Sequence, residues 1–117
     1  LLEADAKVDS GTIYAQEWIE FDGTELVSEL RQAQAEATIR LCQDFVANYP
    51  LSTTFGKQQT GEESFYRRRT PKDSELDIHK SLSEQINLLR VVDNKNYPAY
   101  FVFNKHVYYL QVSKRDE

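Results

Sequence analysis

Leu26, Leu30, Ala33, Ala37, Leu41 and Phe45 recur at intervals of three and four residues, and no other feature constrains the fold as much. Residues spaced in this way share one face of an α-helix, whose turn takes 3.6 residues. Glu29, Arg31, Gln34, Glu36 and Arg40 fall on the other faces. Both ends of this helix are marked. Asp22 and Glu25 stand at capping-box spacing, with Thr24 as a competing N-cap. Asn48-Tyr49-Pro50 closes it, because proline disfavours the helical conformation in the residue before it.

The flanking segments read differently. Residues 1–11 form a polar loop, and 12–21, rich in β-branched and aromatic side chains, predict a strand. Residues 50–75 lack helical periodicity and read as a connector, with one short strand around 64–68. Ser81 and Glu84 form a second capping box, and Leu82, Ile86 and Leu89 are the expected core face of the helix that follows. Two β runs, Ala99–Phe103 and His106–Val112, meet at Asn104-Lys105 and predict a hairpin with a two-residue turn. The fold class is α+β.

Composition excludes several functions. No run approaches the roughly 18 apolar residues of a membrane span, and Glu3 and Asp5 interrupt any signal-peptide pattern. A mean hydropathy of −0.63 argues for a soluble protein. The net charge of −5 disfavours the whole surface as a nucleic-acid binder. Cys42 has no second cysteine to pair with, which points to a reducing compartment; within the helical pattern it is expected to be a small buried apolar residue.

Val8-Asp9-Ser10-Gly11-Thr12-Ile13 is the first candidate for chemistry. An acid on a tight loop beside a strand is well placed to meet a substrate, and Gly11 adds backbone freedom. An ordinary turn whose Asp caps its own backbone accounts for the same residues. Tyr66-Arg67-Arg68-Arg69-Thr70-Pro71-Lys72 concentrates cations in an acidic chain. Guanidinium groups bind phosphate bidentately and Tyr66 can stack on a base, whereas a solvated, guarded strand edge is the plainer alternative. His79 and His106 have no ligand at metal spacing, so no metal is expected. Asp73, Glu75 and Asp77 suit the polar start of a helix better than an acid–base pair. Tyr97, Tyr100, Phe101, Phe103, Tyr108 and Tyr109 exceed what a two-stranded ribbon buries, which predicts packing on a helix, another domain or a second subunit.

In order along the chain these pieces resemble a known family. The stretch from Leu2 to Gln16 is similar to the Asp-Thr-Gly type of loop in the formyltransferases that use 10-formyltetrahydrofolate. Arg68 to Asp77 resembles that family's later segment, Ser81 to Arg90 its following helix, and Tyr97-Pro98-Ala99-Tyr100-Phe101 its Pro-Gly-Ala-like turn. The resemblance implies that residues 1–49 (loop, strand, long helix) are the end of a Rossmann-like catalytic domain. Residues 50–117 would then be a small C-terminal portion with a helix and a β-hairpin. It also implies 10-formyltetrahydrofolate as co-substrate and a catalytic Asn, His and Asp. The Asp carries over to Asp9; nothing here matches the Asn and the His. The loop of Ala4, Asp5, Ala6, Lys7, Val8 and Asp9 would line the pterin pocket. Some members have a histidine seven positions before the catalytic Asp, where this chain has Leu2.

Within the family, the acidic balance favours a nucleotide-linked amino sugar as the amine substrate, with Tyr66, Arg67, Arg68 and Arg69 as candidate substrate contacts. Methionyl-tRNA formylation, the one alternative that involves nucleic acid, and a non-catalytic binding or dimerisation module remain open. The chain has no Met and starts on a Leu pair in mid-pattern, so it reads as a segment of a longer protein, inactive without an N-terminal catalytic portion. A homodimer in the cytoplasm, away from any membrane, completes the expectation.

Overall fold

The computed structural model describes residues 1–115; the last two residues of the expected C-terminal portion lie outside the described residues. Its elements are α1 (Val27–Ala47), a 3-10 turn at Leu51–Phe55, a second at Pro71–Ser74, α2 (Leu82–Val91), β1 (Tyr100–Phe103) and β2 (His106–Tyr109). None of the described helices is long and apolar enough to cross a membrane. Two compact units divide the chain. One holds Leu1–Glu20 with Arg31–Phe65, and the other holds Phe21–Leu30 with the chain from Tyr66 onward.

Helix α1 forms where the stripe predicts it. Ala37 is buried, and Leu26, Leu30, Ala33, Leu41 and Phe45 are half-buried, while the charged positions between them are exposed. Its start needs a correction. Glu25 accepts the Asp22 and Gly23 N–H groups at 2.8 and 3.1 Å, and Asp22 accepts that of Thr24 at 2.9 Å, which makes a turn ahead of the helix. The carboxylate that caps α1 belongs to Glu29, which takes the Leu26 N–H at 2.7 Å. Cys42 is exposed, not buried, because it follows Leu41 and so stands about 100° around the helix from the apolar stripe.

In the first unit the expected strand at 12–21 is an extended segment with isolated bridges. Ile13 pairs antiparallel with Leu2 on one side and Lys57 on the other. Past Ala15 no backbone among the described residues pairs with the segment, and a strand without a ladder partner is not one. The same reason removes the expected strand at 64–68, where the whole run is exposed. Tyr14 packs its ring on Phe45 of α1, with centroids 5.6 Å apart.

The second unit has a small core of Leu76, Leu89, Val92 and Ala99, joined by Leu88, Phe101, Leu110 and Val112. Ser81 caps α2 as predicted, exchanging hydrogen bonds with Glu84 at 3.2 and 3.1 Å. Of the expected core face, Leu89 is buried but Leu82 and Ile86 are 67% and 42% exposed. The ten-residue helix buries its C-terminal end, and Leu82 in the first turn lies beyond that core. The hairpin forms around the predicted turn, pairing Phe103 with His106 and Tyr100 with Tyr109, but β2 ends at Tyr109 and not at Val112. Asn104 and Lys105 both take left-handed φ, +48° and +66°, as a type I′ turn requires. Leu76 donates its N–H to the Tyr100 carbonyl at 2.7 Å, so the 75–76 segment extends the ribbon by a parallel bridge.

Candidate functional site

Gly11 shows why the Asp9 loop has its shape. A Cβ at Gly11 would stand 1.9 Å from the Glu3 carbonyl oxygen, so only glycine lets the two backbones approach. The Glu3 N–H donates to the Thr12 carbonyl at 2.8 Å and closes the loop at its base. The Tyr14 hydroxyl donates to the Glu3 carboxylate at 2.6 Å, and that bond, more than desolvation or charge repulsion, raises the Tyr14 pKa above the usual phenol value. Inside the loop the Ser10 hydroxyl donates to the Lys7 carbonyl at 2.8 Å. Asp9 adopts a left-handed backbone, φ +56°.

Gln59 completes the loop, and sequence reasoning missed it. Its side-chain amide donates to the carbonyls of Asp9 and Gly11, both at 2.7 Å. Nothing in a polar, aperiodic connector distinguishes this glutamine from its neighbour Gln58. The Asp9 carboxylate has no hydrogen-bond partner among the described residues.

The loop forms one wall of a cavity of about 600 Å³ in the first unit. Lys7, Val8, Asp9 and Ser10 line one side; the 59–65 segment lines the other, with Phe65 at its end. Ala4, Asp5 and Ala6 precede these residues in the same loop and are, like Lys7, Val8 and Asp9, exposed. Lys7 and Glu63 form an ion pair between the two walls. Asp9, Glu62 and Glu63 against the single Lys7 give the lining an acidic balance.

The arginine run lies in the second unit and is partly engaged there. Arg67 makes a bidentate ion pair with Asp73. That pair, with a hydrogen bond from the Thr70 N–H, holds the Asp73 carboxyl far below the usual carboxylate range. Arg69 reaches the Ser74 hydroxyl at 3.4 Å, and the buried Ser74 hydroxyl donates to the Tyr97 carbonyl at 2.7 Å. Tyr66 is 95% exposed, and Arg68 makes no ion pair among the described residues. No group of three metal-ligating side chains occurs among the described residues.

No protein-family model matches the chain, and no curated protein does. Among solved structures it is similar to a methionyl-tRNA formyltransferase from Clostridium thermocellum, with a TM-score of 0.66 and 19% sequence identity. The alignment covers 98% of this chain and 49% of that one, so the chain shares the fold of that protein over about half its length.

Proposed function

We propose that the protein containing this chain transfers the formyl group of 10-formyltetrahydrofolate to the primary amine of a nucleotide-linked amino sugar, with Asp9 as the acid of an Asn, His and Asp set. In this reading residues 1–49 finish a Rossmann-like domain in a cytoplasmic enzyme. The Asn and the His have no counterpart in the chain. One observation carries the reading. The residue singled out by the motif stands on a cavity wall with its backbone clamped and its carboxylate unengaged. The fold shared with a named formyltransferase adds support.

The chemistry fits such a carboxylate. An amine attacking the formyl carbon must shed a proton while negative charge grows on the formyl oxygen. A carboxylate beside a histidine orients the ring and stabilises its protonated form. The folate would supply the formyl carbon, and the open groove beside Asp9 would receive it. Lys7, Val8 and Ser10 would shape its pocket beside Asp9.

A sugar nucleotide suits the net charge of −5 better than tRNA, which needs an extended positive surface. The engagement of Arg67 by Asp73 points the same way, because it withdraws one cation of the arginine run from any extended positive surface. Methionyl-tRNA formylation is the second reading, favoured by the name of the solved structure. A homodimer through the hairpin is part of the proposal, because Phe103 and Tyr109 are 51% and 71% exposed.

The test is a panel assay. Full-length protein is incubated with 10-formyltetrahydrofolate and either nucleotide-linked amino sugars or methionyl-tRNA, and products are read by mass spectrometry. A formylated sugar is the expected result. Formylated methionyl-tRNA alone would move the assignment to the second reading, and no formylated amine at all would overturn formyl transfer.

A further inference from the structure

We infer that Gln59 is a positioning residue of this site, acting through Asp9; the inference rests on Asp9 being the catalytic acid. A primary amide carries two N–H donors on one nitrogen. In Gln59 both are in use, each at 2.7 Å, on carbonyls that flank Ser10 in the Asp-Ser-Gly turn. Turning the carbonyls of residues 9 and 11 toward one donor fixes the two peptide planes on either side of that turn. The contact spans 50 and 48 positions of sequence, so the turn does not make it locally.

The remaining restraints leave Gln59 a distinct task. The Glu3 carbonyl packs against Gly11, the Glu3 N–H holds Thr12, and Ser10 holds Lys7. None of these bonds involves Asp9, whose φ of +56° is unusual for a residue with a side chain. Among the described residues Gln59 makes the hydrogen bond that acts on Asp9, and it does so through the carbonyl. The backbone of the acid is thereby set while its carboxylate stays free. Preorganisation of this kind affects the rate of the chemical step more than substrate affinity.

Gln59→Glu keeps the length and replaces two donors with a carboxylate that repels both carbonyls. Gln59→Met keeps the length and has no donor. In the full-length enzyme each is expected to lower kcat by about 10²-fold, the order of loss for a misplaced catalytic group. KM for 10-formyltetrahydrofolate and the thermal midpoint should stay near the parent values. In an Asp9→Asn background, Gln59→Glu should lower kcat no further, because coupled residues are not additive.

Full loss in Asp9→Asn with unchanged kcat in both Gln59 variants would overturn the clamp and leave Asp9 standing. Additive losses would overturn it too, as would unfolding of both variants, which marks a purely structural glutamine. Near-normal turnover in Asp9→Asn would remove the reading of Asp9, and the inference with it.

Discussion

Asp9 and Asp73 each sit on a short turn held by backbone hydrogen bonds, but their carboxylates are used in opposite ways. Asp73 accepts from Arg67, from the Thr70 N–H and from the Thr70 hydroxyl, so its charge is absorbed by the turn it belongs to. The Asp9 turn is held through carbonyls and a glycine contact, by Gln59 and Glu3, and the carboxylate stays outside that network. A carboxylate bound by its own fold is architecture. One whose backbone alone is bound is available to a ligand. The two look alike in sequence, where each precedes a serine, and only their partners separate them.

The contrast is broken or upheld first by activity. Under the proposed function, Asp9→Asn in the full-length protein should lower formyl transfer by roughly 10²–10⁴-fold with folate still bound, whereas Asp73→Asn should leave turnover near the parent value. Comparable losses in steady-state assays would erase the distinction. Gly11→Ala sharpens it from the side of the backbone. Its Cβ meets the Glu3 carbonyl at 1.9 Å, and urea unfolding should report a cost of about 1–3 kcal/mol, since backbone cannot swing aside as a side chain can.

Ser74→Ala probes the other turn. The hydroxyl is buried and donates to the Tyr97 carbonyl, so its loss leaves an acceptor without its donor, at a cost of about 1–3 kcal/mol in the same measurement. Formyl transfer should not follow it. The smallest effect is on pH dependence. The hydrogen bond from Arg67 depresses the folded-state pKa of Asp73, so its contribution to stability is present above the usual carboxylate range. That contribution is lost as pH falls from this range toward the folded value. Thermal midpoints of Asp73→Asn should therefore fall less steeply with acid than those of the parent protein, and parallel acid limbs would refute the role of the pair.

Where the determinants are local, the sequence carries most of the fold openly, the start of α1 at Leu26 and Glu29 excepted. The α1 stripe, the Ser81–Glu84 box and the Asn104-Lys105 turn depend on neighbours within a few positions, and each forms as read. What depends on distant partners is hidden. Residues 12–21 have strand composition, yet among the described residues only Ile13 finds ladder partners on both sides, and these come from Leu2 and Lys57. Leu82 and Ile86 fit a helical period but not the one end of α2 that the small core covers. The candidate acid stands out in the sequence because the Asp-Ser-Gly motif is contiguous. Gln59 is not, because a single amide in an aperiodic connector carries no local signature.

The long reach of Gln59 also has a consequence in time. A chain leaves the ribosome from its N-terminus, at roughly 5–20 residues per second. The Asp-Ser-Gly turn is therefore made several seconds before Gln59, 50 positions beyond Asp9, can reach it. During that interval the nascent protein holds the motif in full and can close the loop through Glu3 and Ser10, but it lacks the two Gln59 bonds that set the Asp9 backbone.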